Sequence, residues 1–139
     1  MNDEVILSVK NLAIEYTADR GQVHAVSGVS FDIHRGEFFG LAGESGCGKS
    51  TMAFAIMQLL KSGAQIVDGT IEFHGKNLLN LSGDEMRQFR WEKTSMVLQS
   101  AMNNLNPVVT IGSQLTDAIL AHEDISMKDA LARARILLE

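Results

Sequence analysis

The nine residues GESGCGKST, 43–51, lie between a short, nearly continuous apolar run, EFFGLA at 37–42, and a segment of helical period, MAFAIMQLLK at 52–61. Gly43, Gly48, Lys49 and Ser50 satisfy the pattern G-x-x-x-x-G-K-[ST], and strand, glycine-rich loop and helix follow in the order that gives the pattern its meaning. The physics is local. Successive backbone N–H groups of residues 45–50 can point into one concavity at a helix N-terminus, where partial positive charge favours phosphate oxygens. A Cβ at the glycines would block that approach or forbid the φ it needs. Lys49 supplies a mobile cation for the β- and γ-phosphates, and the Ser50 hydroxyl suits Mg²⁺, a hard ion that takes oxygen ligands. At average composition, fewer than about 1 in 100 chains of this size would match by chance.

Composition narrows the rest. A chain of 139 residues has room for one compact domain, and 45% apolar with 21% charged residues excludes disorder and fibrous repeats. Its single cysteine, Cys47, can form neither an internal disulfide nor a thiolate zinc cluster. Twelve Lys and Arg against seventeen Asp and Glu leave a net charge of −5, the wrong sign for gripping nucleic acid through overall charge. The most apolar stretch, residues 52–60, is nine long and contains Gln58, far short of the roughly 18 a membrane span needs. The start, MNDEVILSVK, lacks the basic opening of a secretory signal. These features predict a cytoplasmic chain that reaches a membrane only through a partner.

Along the chain, residues 5–16 alternate as V-x-L-x-V and then L-x-I-x-Y, the period of a strand with one buried face. A turn at TADRGQ, 17–22, and a second alternating run with Val29, Phe31 and Ile33 on one face predict an antiparallel β region over about 1–36. The strand, loop and helix of the phosphate site occupy about 37–61, with Met52, Ile56 and Leu59 or Leu60 on one helical stripe. A β and helix insert follows over about 65–93: a strand at 70–73, the turn HGKN, and a short helix starting at Ser82 with Asp84 and Glu85 in its first turn. TSMVLQ, 94–99, reads as another buried strand, NNLNPVVT as a loop around the only proline, and helices are predicted at 111–121 and from about 127, the latter capped by Ser126. The last segment, MKDALARARILLE, runs at helical period to its final residue without a stop signal, so the sequence reads as cut rather than finished.

The phrases V-S-F-D-I-x-x-G-E at 29–37, GESGCGKST, and MVLQSAMNNLNPVVTIGSQL at 96–115 resemble the ATP-binding subunits of ABC transporters, most closely the oligopeptide, dipeptide and nickel importer branch. The resemblance covers nearly the whole chain. It implies an α/β fold of the P-loop NTPase class in its ABC ATPase form, with an N-terminal antiparallel β subdomain, and truncated before the Walker B strand. It implies ATP and Mg²⁺ bound by Gly43, Glu44, Ser45, Gly46, Cys47, Gly48, Lys49, Ser50 and Thr51. It also implies an adenine stacked on Tyr16 and a Q-loop glutamine, Gln99, that with Ser50 reaches Mg²⁺ and the attacking water. The start of a helical subdomain would follow Gln99, over about 94–139. The implied partners are transmembrane permease subunits, a second ATP-binding subunit of the same or a different kind, and indirectly a substrate-binding protein, with the chain peripheral on the cytoplasmic face of the membrane.

Each residue also has a plainer reading. Tyr16 can be an amphipathic strand end, its ring on the core and its hydroxyl in water. Gln99 can be a strand-terminal polar residue, and Cys47 a small filler at an unrestricted position of the motif. LSGDE, 81–85, begins like the LSGGQ signature but lies before Gln99, and reads as a helix start. His24, His34, His74 and His122 share no metal-ligand spacing, and Arg87, Arg90 and Lys93 beside Trp91 read as a solvated face. No apolar run ending in Asp-Glu follows Gln99, so the chain alone is expected to bind ATP without turnover. The alternatives are a small P-loop kinase or GTPase, and an ATP-binding regulatory module without catalysis.

Overall fold

The structure is a computed structural model and describes residues 4–18, 21–98 and 105–139. The chain divides into two compact units, Met1–Met86 and Arg87–Glu139. In the first, strands β1 (Val5–Ala18), β2 (Gly21–His34), β3 (Ala64–Phe73) and β4 (Lys76–Asn77) form one antiparallel sheet in the order β2-β1-β3-β4. Helix α1 (Lys49–Ile56) lies between β2 and β3 in sequence, and a 3-10 turn, Leu78–Asn80, precedes α2 (Gly83–Glu92). Two further helices, α3 (Ile111–Leu120) and α4 (Met127–Leu138), belong to the second unit.

The two alternations read in β1 differ in parity, and the ladder shows how they are joined. From Val9↔Phe31 to Leu12↔Val29, β1 uses three residues where β2 uses two; from Lys10↔Thr70 to Ala13↔Asp68 it does the same against β3. The extra residue is a bulge at Asn11, which has φ 48° and donates its N–H to Ser30 Oγ at 2.8 Å. The bulge keeps Val9, Leu12 and Ile14 on one buried face, where Val26, Ile71 and Leu78 are also buried. Gly69 lies across from it, with φ +93°, and a Cβ there would come within 2.5 Å of Lys10 O. His74 and Gly75, both at positive φ, form the two-residue turn into β4.

Helix α1 begins earlier and ends earlier than its apolar period suggests. After its C-cap, Met57, Gln58 takes φ 49°; Gln58 N–H donates to Ala55 O at 3.0 Å and Leu59 N–H to Phe54 O at 2.8 Å. This is the paired closure that usually recruits glycine, so a glutamine in its place hides the helix end from a reader of sequence. In the second unit, Ala130 and Ala134, four residues apart on α4, are buried with Ile119 of α3, and Trp91, Leu115, Leu120 and Ile125 pack around them. Small side chains let the two helices approach closely.

Two expected strands are not formed. Residues 37–42 and 94–98 are irregular, Phe38 is fully exposed, and Val97 is 88% exposed. A parallel strand is held by ladders on both edges and covered on both faces. Neither stretch is hydrogen-bonded into a sheet among the described residues, whose strands all belong to the antiparallel sheet. The remaining residue of the second stretch, Gln99, lies outside the described residues.

Candidate functional site

The chain leaves β2 through a turn at His34. Glu37 accepts the His34 backbone N–H at 2.7 Å and lies 3.2 Å from His34 Nδ1; the backbone bond first, then the side chain, holds the Glu37 carboxyl below the usual carboxylate range. Phe39 stacks on Phe31 of β2 with ring centroids 4.8 Å apart, fixing the run toward the loop to the sheet.

Residues 43–48 form the loop itself and Gly48 is the N-cap of α1, at φ 92° with no side-chain cap. The first intrahelical bond is Met52 N–H to Gly48 O at 2.9 Å, so the N–H groups of Lys49, Ser50 and Thr51 have no partner within the helix. Uncapped donors at a helix start make an anion site. Gly46 also has positive φ, +83°, while Glu44 accepts Cys47 N–H at 3.4 Å and closes the loop on itself. Ser45, Cys47 and Ser50 are exposed.

The Lys49 ammonium lies across this loop. It donates to Gly43 O at 2.7 Å and to Glu44 O at 2.6 Å, and lies 3.3 Å from Cys47 Sγ. The cation is therefore held where the loop's backbone converges, on a flexible stem that can be redirected to a phosphate. Two glycines keep the cradle open to backbone and side chain. A Cβ on Gly43 would meet Cys47 Sγ at 2.7 Å, and one on Gly48 would meet Ala25 O of β2 at 2.4 Å.

Tyr16 stands near the end of β1, opposite Val23 of β2 and Ala64 of β3. Its hydroxyl lies 3.3 Å from Thr51 Oγ1, so the strand end and the first turn of α1 are brought together. The sequence placed Tyr16 and Thr51 in one site but did not show this bond, because hydroxyls 35 residues apart leave no local signal. Nor did it mark Ala25 and Val26, which back Gly48; a glycine in a phosphate loop already has a reason to be there, and the packing reason is concealed behind it. Among the described residues no group of three His, Cys, Asp or Glu could hold a metal ion. Oxygen donation by Ser50, completed by phosphate and water, suits Mg²⁺, which binds through few protein ligands.

A glycine-rich loop that opens a helix and is backed by a sheet defines a fold of the P-loop nucleotide-binding class. Comparison narrows the class: residues 26–138 match the family model for ABC transporter, and the chain belongs to that family. The dipeptide transport ATP-binding protein DppD of Bacillus subtilis (strain 168) is 48% identical over 128 residues, covering 91% of this chain and 38% of that protein. The oligopeptide transport ATP-binding protein OppD of Escherichia coli (strain K12) is 36% identical over 136 residues, 98% of this chain and 40% of its own length. Among solved structures, the dimeric structure of MJ0796, a bacterial ABC transporter cassette, is similar with a TM-score of 0.75 at 26% identity, over 92% of this chain and 53% of that one. A post-hydrolysis state of the same ATP-binding cassette, bound to ADP and Pi, gives 0.76 at 27% identity, over 93% of this chain and 54% of that one. The fold is thus that of an ABC ATPase cassette, and the chain spans about two fifths of the length of the curated relatives named here.

Proposed function

We propose that this chain is the nucleotide-binding part of an ABC importer's ATP-binding subunit, one that couples ATP binding and hydrolysis to uptake of a peptide or nickel. The observation that carries the reading is the uncapped start of α1 behind Gly48, with Lys49 laid across the loop. The names of the similar proteins, dipeptide and oligopeptide transport ATP-binding proteins, support the peptide branch.

In this reading the backbone N–H groups of residues 45–51 receive phosphate oxygens, and Lys49 exchanges its two carbonyl partners for the β- and γ-phosphates. Ser50 holds Mg²⁺ with Gln99, and Tyr16 offers its ring to adenine. Mg²⁺ when bound supplies charge neutralisation on the phosphates. The loop's fixed dipoles orient the triphosphate without themselves moving a proton. The complete subunit pairs with a second ATP-binding subunit, the same or different, and acts on transmembrane permease subunits fed by a substrate-binding protein. It sits peripherally on the cytoplasmic face of the membrane; among the described residues no helix is long and apolar enough to cross one.

Calorimetric titration with Mg-ATP tests the site. Lys49→Ala is expected to abolish detectable binding while the circular dichroism spectrum is kept, because the Lys49 ammonium is bonded to exposed atoms of the loop. Unchanged affinity in the variant would remove the phosphate-loop reading.

A further inference from the structure

The contact between Tyr16 and Thr51 gives the tyrosine a task that a stacking ring does not require. Tyr16 is half-buried at the end of β1, and Thr51 is half-buried as the third residue of α1, so both side chains are held by their elements. A helical threonine divides between two χ1 rotamers, because its Oγ1 can turn back to a carbonyl three or four residues earlier. Here Oγ1 is turned instead to the Tyr16 hydroxyl at 3.3 Å.

The direction of the bond follows from donor arithmetic. Each hydroxyl has one proton to give and can accept more than one. A phosphate oxygen only accepts, so for Thr51 to serve a phosphate its own proton must go there, and its bond to Tyr16 must be one in which the phenol donates. Phenol O–H to threonine O–H to phosphate is then a polarised chain in which each bond strengthens the next.

We propose that Tyr16 is a positioning residue for the phosphate end of the site, acting through Thr51: its phenol fixes the Thr51 rotamer and aims the Thr51 proton at a phosphate oxygen. This rests on the phosphate-loop reading of residues 43–51 and is separable from any stacking of a base on the ring.

The test is calorimetry on the 139-residue chain with inorganic tripolyphosphate, which has no base, and with Mg-ATP. Tyr16→Phe keeps the ring and removes the hydroxyl. It is expected to weaken both ligands by the same factor, about 2- to 10-fold, the range of one hydrogen bond. In a Thr51→Val background the same change is expected to cost nothing further, because the chain through Thr51 is already broken. Wild-type affinity for tripolyphosphate in Tyr16→Phe overturns the proposal, as does an equal loss in both backgrounds. A lowered melting temperature with unaltered binding also overturns it, since that is a merely structural role. If the wild-type chain binds neither ligand, the phosphate-loop reading fails and takes the proposal with it; if it binds both and Tyr16→Phe is silent, only the proposal fails.

Discussion

A Cβ on Gly48 would lie 2.4 Å from Ala25 O and 3.1 Å from Val26 Cγ2, and its φ of +92° is one that L side chains rarely adopt. Glycine is therefore demanded there by strand packing and by backbone conformation, besides the approach of a ligand. Only the last two were legible, since the motif points to them and the packing partner lies 23 residues upstream. Lys49, Ser50 and the glycines are the legible part of the site because their chemistry is contained in nine consecutive residues. Cys47 makes a sensitive probe of this stretch: it is the chain's only cysteine, it is exposed, and its Sγ lies 3.3 Å from Lys49 Nζ. Maleimide labelling of Cys47 is expected to block Mg-ATP binding, and Mg-ATP to slow labelling. Identical labelling rates with and without Mg-ATP would place the thiol away from the nucleotide.

Elements whose signals lie within a turn or two were read correctly. Ser126 caps α4 by accepting Asp129 N–H at 3.2 Å, and Thr110 caps α3 by accepting Ser113 N–H, also at 3.2 Å. At α2 the cap is reciprocal: Ser82 Oγ accepts Glu85 N–H at 3.3 Å while Glu85 accepts Ser82 N–H at 2.9 Å. Lys76 at 2.9 Å adds an ion pair and is the largest cause, ahead of Ser82, pulling the Glu85 carboxyl from 4.5 to about 2. A depressed carboxylate pKa stabilises the fold above the unfolded value and ceases to do so as pH falls through the folded one. The contribution of this cap is therefore expected to be whole above about pH 4.5 and to fade toward pH 2. NMR titration of the Glu85 side chain checks it, and a midpoint near 4.5 would mean that the box and the ion pair do not hold in solution. Strands 37–42 and 94–98 failed as readings for the opposite reason. Hydrophobicity is a property of the segment itself, but a ladder belongs to a neighbour, and no count of apolar residues reveals whether one is there.

At the scale of the molecule, the α/β character, the antiparallel opening sheet and the order of loop and helix were all readable, because each follows from periodicity and one motif. The chain's own residues also bound what it can catalyse. Binding ground state and transition state equally does not accelerate a reaction, and a glutamine can orient water but cannot take its proton. With no apolar run ending in Asp-Glu after Gln99, these 139 residues are expected to release phosphate from Mg-ATP at background rate. Steady, Lys49-dependent release in a phosphate assay would reveal a base that the sequence does not announce. The bulge in β1 carries a last consequence, for which kinds of length change the chain can bear. A pleated strand counts residues in pairs, and Asn11 is the odd one that lets Val9 and Tyr16 fall on the same side of the sheet. Deleting Asn11 takes out the one residue the ladder does not count, leaves Val9 and Leu12 two positions apart, and keeps Leu12, Ile14 and Tyr16 on their face; deleting Ala13 leaves the bulge in place and exchanges Ile14 and Tyr16 with Glu15 and Thr17, withdrawing the tyrosine from α1. The Asn11 deletion is expected to melt cooperatively and bind Mg-ATP and the Ala13 deletion to do neither; equal behaviour of the two would show that the ladder absorbs a lost residue wherever it falls, whereas the geometry here says that the place of a one-residue gap in this strand, and not its length, decides which side chains face the core.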